Sequence, residues 1–321
     1  MVISTEIIVR LLQIKGLGRR TAFKLCKGLD FNPTPTELIE YLFDYAKRFP
    51  NTRLPVLNTI EIDAAFKKAE DIIDKSERAD VQIISYYNEL YPQSLKEIPD
   101  PPLVLNIKGN PKLLSEKVGI AIIGTREPSD AGRKAGVYFS SRLAENGFNI
   151  VSGLAKGCDA AAHEGCLLSK GTTTGILAHG LQTIYPKENR KLAEDILENN
   201  GLLLTEYLFG TGALSNYFVE RDRLQAGLSK ATIVIQTGEK GGTMHAVRST
   251  LESNKKLAAV KYNNNELANE KTRGNEKLIN DGKAFALTSS NLIEFVGSFS
   301  AYKSSKTDNF TPKPTSQLKI F

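Results

Sequence analysis

The sequence predicts an α/β protein with a doubly wound, Rossmann-like parallel sheet and a small helical module at its N-terminus. Three observations lead to this prediction. Between residues 118 and 261, six short apolar runs of strand type alternate with five helical patterns. Strands that are apolar on both faces are typical of parallel sheets covered by helices on each side. The residues before this region show apolar positions at helical spacing instead.

The composition is that of a globular protein and excludes several classes. The 321 residues suggest two domains, or one large domain with an appendage. There are 42 Lys and Arg residues against 36 Asp and Glu, a net charge of +6, which permits a polyanionic partner without establishing one. No apolar run predicts a membrane span, and the first residues do not resemble a signal peptide. Three cysteines without a C-x-x-C pair argue against disulfides and structural zinc. We therefore expect a cytoplasmic protein with no membrane contact and no metal.

Residues 1–75 are predicted to form the helical module. Gly16-Leu17-Gly18 is a turn between two short helices and resembles a helix-hairpin-helix. In such a turn, backbone N–H groups at the start of the second helix can meet a DNA phosphate. Residues 1–30 hold six Lys and Arg against two acidic residues. Both a DNA-binding hairpin and a structural hairpin with a solvated basic face fit this pattern.

Residues 76–117 are rich in proline and contain two runs of β type, Val81–Ser85 and Leu103–Ile107. They predict a connector whose edge strands pack on the main domain. The main domain is expected to span residues 118–300. Residues 301–321, in which Lys, Ser, Thr and Pro are frequent, are expected to be a flexible tail.

The main domain is predicted from alternating strands and helices. The strands are Val118–Ile123, Asn149–Val151, Thr173–Leu177, Leu202–Thr205, Thr232–Gln236 and Leu257–Val260. The helices are Ala131–Asn146, Asp159–Ser169, Glu188–Asn199, Val219–Leu228 and Thr243–Ser253. In such a sheet the ligand binds at the carboxyl ends of the strands.

Two loops after predicted strands carry groups suited to a phosphate. In Gly124-Thr125-Arg126 the glycine lets backbone amides approach an anion, and the arginine adds a bidentate donor. In the loop that begins at Ser152-Gly153, Lys156 adds a compact cation. Asp159 fits the N-cap of the next helix at least as well as a catalytic role.

Two further loops complete the predicted edge. Phe218 precedes Arg221 and Arg223, a combination that suits single-stranded nucleic acid, although a core phenylalanine beneath a salt-bridged helix start fits equally well. Gly241-Gly242-Thr243 is a flexible loop in which Thr243 can cap a helix. No nucleophile–base pair stands out, and the G-x-G-x-x-G fingerprint is absent.

Taken together, these motifs resemble those of the DprA/Smf family of bacterial DNA-processing proteins, in the same order and at similar spacing. The resemblance covers about residues 80–262 and a helical N-terminal module. The residues that carry it are Tyr91-Pro92, Asp100-Pro101-Pro102, Gly109-Asn110, Gly124-Thr125-Arg126, the run from Ser152 to His163, Tyr185-Pro186, Phe218, Arg221-Asp222-Arg223, Ala226 to Ser229, and Gly241-Gly242-Thr243.

The resemblance implies a homodimeric, non-enzymatic protein that requires no cofactor. It implies that the protein binds and protects single-stranded DNA and loads the RecA recombinase during natural transformation or recombination. No catalytic residue or metal ligand is implied. Carried over motif by motif, the expected DNA contacts are Gly124, Thr125, Arg126, Ser152, Gly153, Lys156, Phe218, Arg221, Arg223, Gly241, Gly242 and Thr243.

The chain departs from the family pattern in two respects. Asp222 stands where the family usually has asparagine, and the added carboxylate is expected to weaken phosphate binding. No winged-helix domain is expected after residue 300. Instead, Gln317-Leu318-Lys319-Ile320-Phe321 resembles the peptide by which replication and repair proteins dock on the sliding clamp. A chance match, or a tail that covers the protein's own surface, is the alternative.

Two competing hypotheses assign the phosphate-binding edge to a nucleotide. In LOG-like phosphoribohydrolases, the Gly-Gly-x-Gly-Thr-x-x-Glu loop somewhat resembles Gly241-Gly242-Thr243, but its glutamate falls near Val247 or Arg248 and neither is a carboxylate. The second competing hypothesis is a nucleotide sensor, which would bind a signalling nucleotide at the same edge. Comparing binding of single-stranded DNA with binding and hydrolysis of mononucleotides separates the three hypotheses.

Overall fold

Four helices form the N-terminal module in the computed structural model, which describes residues 3–29, 32–52, 54–55, 58–263 and 269–299. They are α1 (Thr5–Gln13), α2 (Arg19–Lys27), α3 (Pro35–Arg48) and α4 (Thr59–Arg78). Helix α3 begins with a capping box between Thr34 and Glu37, which satisfies N–H groups at its start. Apolar residues of all four helices share one core with Leu103, Val104 and Leu208, so the module packs directly on the sheet region.

In the part of the chain that the structure describes, nine strands form one sheet in the order β1–β2–β6–β5–β4–β3–β7–β8–β9. They are β1 (Gln82–Ser85), β2 (Val104–Gly109), β3 (Gly119–Ile123), β4 (Asn149–Ser152), β5 (Thr173–Ile176), β6 (Leu202–Thr205), β7 (Ala231–Val234), β8 (Lys256–Val260) and β9 (Phe285–Leu287). Strands β3 to β9 pair in parallel, whereas β2 pairs antiparallel with both β1 and β6. The two strands predicted in the connector therefore extend the main sheet.

Eight helices follow the N-terminal module within the described residues. They are α5 (Gln93–Lys96), α6 (Asp130–Glu145), α7 (Cys158–Leu168), α8 (Arg190–Glu198), α9 (Ser215–Gly227), α10 (Thr243–Glu252), α11 (Arg273–Asn280) and α12 (Leu292–Gly297). Side chains of β6 show how the sheet is covered on both faces. Leu202 and Leu204 share a core with Leu224 of α9, while Leu203 between them packs with Ile196 of α8. The predicted doubly wound fold is confirmed.

The connections place a topological switch point at β3. From β3 the chain moves through β4 and β5 to β6, then returns to β7 on the other side of β3. Crevices that bind ligands in open α/β sheets form at such reversals, outside the carboxyl ends of the strands. Within the parts of the chain that the structure describes, no helix is both long enough and apolar enough to cross a membrane. The predicted tail and its Gln317–Phe321 peptide lie outside the described residues.

Candidate nucleic-acid interface

The loops after β3 and β4 approach each other so closely that both need glycine. A Cβ atom on Gly124 would lie 2.5 Å from Sγ of Cys158, and one on Gly157 would lie 2.5 Å from the Arg126 carbonyl oxygen. Gly157 also has φ of +79°, a conformation that side chains disfavour. These two glycines let the loop that carries Arg126 lie directly over the start of α7.

A buried glutamine fixes the other side of the β3 loop. The backbone carbonyl of Gln236, just beyond β7, accepts a hydrogen bond of 2.7 Å from the Thr125 N–H. Its side-chain amide bonds Ser129 twice: Oε1 accepts from the Ser129 N–H at 2.8 Å, and Nε2 donates to Oγ at 2.9 Å. Contacts with both the residues after β7 and α7 thus hold the β3 loop in place, and they fix the backbone position of Arg126.

Hydrogen bonds of buried side chains hold the loop that begins at Ser152. The Ser152 hydroxyl is buried and donates to the Ile122 carbonyl at 2.6 Å. The Asp159 carboxylate accepts hydrogen bonds from the N–H groups of Gly153, at 3.1 Å, and Ala155, at 3.4 Å. The prediction that Asp159 caps α7 was wrong: Gly157 occupies the N-cap, and Asp159 folds the preceding loop instead. Burial raises the pKa of Asp159, and nearby Arg221 opposes the rise.

Arg221 is a buried cation that joins three elements. Its side chain is 6% exposed. Its Nη1 donates to the Gly153 carbonyl at 2.7 Å and to the Ile176 carbonyl at 2.6 Å, and its Nε donates to Asp222 at 3.2 Å. The guanidinium therefore joins the loop after β4 and the last residue of β5 to α9. The structure shows Arg221 as part of the floor of the predicted edge and not as an exposed cation.

Asp222 lies against this buried arginine. Its carboxyl pKa rises to about 6 because burial disfavours its charge and Asp159 repels it, while Arg221 and Arg126 partly counter the rise. The Asp222 carboxylate, which the sequence places between two arginines, therefore interacts electrostatically with the site from a buried position. Its charge changes near neutral pH.

Arg223 points to a second network, at the boundary with the N-terminal module. Its guanidinium holds Glu206 with two hydrogen bonds, at 2.5 and 2.7 Å, and donates to the Asp100 carbonyl at 2.9 Å. Arg19 of α2 binds the carboxylates of both Glu206 and Asp100. The side chain of Glu206 is only 4% exposed. Here Arg223 joins the module to the sheet, so the structure does not bring it together with Arg126.

Above this floor, cations and aromatic rings reach the surface together. The guanidinium carbon of Arg126, an exposed residue, lies 5.2 Å from the ring centroid of half-buried Phe218. The Phe218 ring lies 5.7 Å from that of Tyr185, which is 49% exposed. A guanidinium over an aromatic face is a cation–π contact. We call Arg126, Phe218 and Tyr185 the stacking edge. Phe218 is thus not the core residue of the alternative interpretation.

The remaining predicted residues flank the stacking edge. Lys156 is exposed and pairs with Glu188, whose side chain is also exposed, and such pairs hold each other weakly. Gly241 and Gly242 are exposed, and α10 begins directly after them. The prediction that Thr243 caps this helix was wrong, because the N-cap is Gly242 and no side chain bonds the helix start. Oriented N–H groups at an uncapped helix start suit an anion.

Sequence reasoning missed three residues that shape this region. The sequence shows Tyr185 as part of a motif without a role, predicts Gln236 within a strand, and gives no signal for Asn275. The Asn275 amide donates to carbonyls of β7 and β8 and accepts from the Thr237 N–H at 2.9 Å. A polar side chain directly after a buried apolar strand is the only sequence signal for Gln236.

His163, the last residue of the motif that begins at Ser152, lies in the protein core and not at the predicted edge. The ring is fully buried, and Nδ1 lies 2.7 Å from the Thr173 hydroxyl, which itself donates to the Ile150 carbonyl. Burial lowers the pKa of His163 to about 3, so the imidazole is neutral. Within the described ranges, no three His, Cys, Asp or Glu side chains are grouped as metal ligands.

Comparison with known proteins identifies the family. A family model described as DNA recombination-mediator protein A matches residues 82–297. DNA processing protein DprA of Bacillus subtilis is 35% identical over 200 residues, which cover 62% of this chain and 67% of that protein. Protein Smf of Borreliella burgdorferi is 31% identical over 235 residues, covering 72% and 71%. The match spans 56% of Smf from Synechocystis and 52% of Smf from Escherichia coli, about half of their length.

Two solved structures are similar to the chain. The X-ray structure of DprA from Streptococcus pneumoniae has a TM-score of 0.76 at 26% identity, covering 94% of this chain and all of that one. DprA from Helicobacter pylori, described for its single-stranded DNA binding mode, has a TM-score of 0.60 at 30% identity, covering 68% and 97%. The fold and its edge define a Rossmann-like α/β protein whose strand order reverses at β3. The chain belongs to the DNA recombination-mediator protein A family, whose members here are named DprA and Smf.

Proposed function

We propose that this chain binds single-stranded DNA at the stacking edge. The observation that carries the proposal is the exposed Arg126 guanidinium held over Phe218, with Tyr185 beside it, outside the carboxyl ends of parallel strands. Bases stack on aromatic rings whatever their sequence, and arginine takes the phosphate. The H. pylori relative, described for its single-stranded DNA binding mode, supports the same ligand here.

The twelve expected contact residues divide into three groups in this proposal. Arg126, Lys156, Phe218 and the Gly241–Thr243 loop meet the DNA, because their side chains or backbone are accessible. Gly124, Thr125, Ser152, Gly153 and Arg221 hold the loops in place, through contacts made inside the protein. Arg223 holds the N-terminal module, through Glu206.

Family membership supports the remaining parts of the proposal. A recombination mediator delivers single strands to a recombinase, so we propose that this chain protects the strand and loads RecA as a homodimer. We propose that it does so in the cytoplasm, without catalysing a reaction and without a cofactor. Docking of Gln317–Phe321 on the sliding clamp is proposed from the sequence alone.

The proposal is tested with the variants Arg126→Ala and Phe218→Ala, and binding is measured by fluorescence anisotropy with labelled oligonucleotides. Each variant is expected to lose about tenfold in affinity, since a base–aromatic contact contributes about 1–3 kcal/mol. The Arg126→Ala loss should be the same for oligo-dT and mixed sequences, because phosphates carry no sequence information. Arg78→Ala is the control, since that side chain is 81% exposed on α4.

Three results would contradict the proposal. Wild-type affinity in both variants would remove the stacking edge from the binding surface. Tight binding of a mononucleotide that competes with oligo-dT, accompanied by its hydrolysis, would favour the phosphoribohydrolase hypothesis instead. Competition without hydrolysis would favour a nucleotide sensor.

A further inference from the structure

A second surface that combines cations with aromatic rings lies on the N-terminal module. Helix α2 carries Arg20, Lys24 and Lys27 at positions i, i+4 and i+7, which share one helix face. These three side chains are exposed, and so is Lys15 in the preceding turn. Among the residues that the structure describes, none of the four lies within ion-pair distance of a carboxylate. They form a stripe of positive charge along one side of the module.

Aromatic rings lie directly beside this stripe. The Lys27 Nζ is 4.8 Å from the ring centroid of Phe23, which packs edge-on against Tyr86 at 5.0 Å. The Lys96 Nζ is in turn 5.1 Å from the Tyr86 centroid. Phe23 and Tyr86 are both half-buried and so keep part of each ring at the surface. These cation–aromatic contacts have the same form as that of Arg126 over Phe218. A basic helix face that only contacts solvent would not need aromatic rings beside its cations.

The contacts of Arg19 connect this surface to the stacking edge. Arg19 begins α2 and binds Glu206, the residue directly after β6. Arg223 of α9 binds the same carboxylate, and α9 carries Phe218. Helix α2 therefore starts at the carboxyl edge of the sheet. Strand β6 is three strands from β3 in the sheet order, or about 14 Å at the usual strand spacing. A strand of a few nucleotides spans that distance.

We propose that Lys15, Arg20, Lys24 and Lys27, with Phe23 and Tyr86, bind the continuation of the single strand that leaves the stacking edge. We call these six residues the α2 face. This inference rests on the proposed function and extends it, because it gives the chain a longer footprint than the sheet edge alone provides. The cations take phosphates and the rings take bases, so the α2 face adds affinity without adding sequence preference.

The test compares a short and a long oligonucleotide, dT6 and dT25, on the full chain. The α2 variant is Arg20→Gln/Lys24→Gln/Lys27→Gln. The control variant Lys67→Gln/Lys68→Gln/Lys256→Gln removes three exposed lysines elsewhere, so that both lose the same net charge. The edge variant is Arg126→Ala/Phe218→Ala. Affinities are measured over a series of salt concentrations, and circular dichroism checks that each variant is folded.

The α2 variant is expected to bind dT25 at least about tenfold more weakly, and its salt slope should fall by about 2, since each phosphate contact on a single strand contributes about 0.7. Its affinity for dT6 should fall less than its affinity for dT25, because a six-nucleotide strand that occupies the stacking edge leaves few nucleotides to reach the α2 face. The control variant should match wild type on both ligands. The edge variant should lose affinity for both.

Each contrary outcome has a separate meaning. An α2 variant with wild-type dT25 affinity and salt slope overturns this inference and leaves the proposed function intact. Equal losses in the α2 and control variants overturn it in favour of a net-charge effect. An edge variant with wild-type affinity for both ligands refutes the proposed function. It then also refutes the proposal that one strand runs from the stacking edge to the α2 face.

Discussion

Asp222 shows how a single side chain can influence a binding site that it does not line. Its carboxyl group lies at 3.2 Å from Nε of buried Arg221, and it also interacts with Asp159 and with exposed Arg126. When ionised, it adds negative charge beneath the cation that we assign to the phosphate. Because burial raises its pKa to about 6, this charge is present at neutral pH and disappears in mild acid.

The pH dependence of stability follows from the direction of that shift. The folded state holds the proton more tightly than the unfolded chain, so Asp222 favours folding below about pH 4 and loses this contribution as the pH rises to about 6. Asp222→Asn removes the titration. The free energy of unfolding of the variant should exceed that of wild type by on the order of 1–3 kcal/mol at pH 8, and the difference should shrink towards pH 4.

Urea unfolding at pH 4, 6 and 8 measures this difference, with exposed Asp63→Asn as the control. Affinity for oligo-dT should also rise severalfold in Asp222→Asn at pH 8, and by less at pH 5. A difference in stability that stays constant across this range would show that Asp222 does not titrate there.

At the scale of elements, the site depends on loops that approach each other closely. Gly157→Ala places a methyl group 2.5 Å from the Arg126 carbonyl oxygen, at a backbone φ of +79°. A positive-φ backbone conformation of this kind costs a residue with a side chain about 1–3 kcal/mol, and the steric overlap must also move the β3 loop. We expect a loss of about 2–4 kcal/mol in the free energy of unfolding, as for other strained or overpacked sites.

Because the displaced loop carries Arg126, oligo-dT affinity should fall together with stability in Gly157→Ala. The control is Gly212→Ala, since a Cβ there meets no atom within 4 Å. Chemical denaturation and anisotropy measure the two effects. If Gly157→Ala bound oligo-dT as wild type does, the position of the β3 loop would not matter for binding.

The sequence predicted these elements well and their contacts poorly, for identifiable reasons. Periodicity located β6 to the residue and the strands β3, β4, β5, β7 and β8 within two residues, because four or five consecutive buried positions leave a clear apolar pattern. Strand β9 was not predicted, since three residues between polar segments give no period. Arg221 and Arg223 were both expected to contact DNA, because spacing along a helix does not reveal whether a carbonyl or a carboxylate faces the guanidinium.

For the whole molecule, the attachment of the N-terminal module depends on a nearly buried carboxylate. Glu206 is 4% exposed and holds Arg19 and Arg223 together. Glu206→Gln leaves two partly buried cations facing a neutral amide, and removing one partner from a buried ion pair typically costs about 3–5 kcal/mol. We expect a loss of about 3 kcal/mol in stability, given that Asp100 remains near both arginines.

Urea unfolding measures the loss, and hydrogen exchange should show faster exchange in α1 to α4 than elsewhere. The control Asp71→Asn breaks an exposed pair with Lys75 and should change stability by less than about 0.5 kcal/mol. Uniform acceleration of exchange along the chain would mean that Glu206 stabilises the whole sheet and not the attachment of the module.

The strand order also determines when during synthesis the crevice is complete. Strand β3 has left the ribosome long before its neighbour β7, whose residues 231–234 are more than a hundred positions further along. Until then, Gln236 is not available to hold Thr125 or Ser129, and one wall of the crevice does not exist. Pairings this distant in the chain form slowly. A nascent chain therefore carries its N-terminal helices and strands β1 to β6 before it has a finished binding edge, so polysomes translating this message present that edge only after Gln236 has been added.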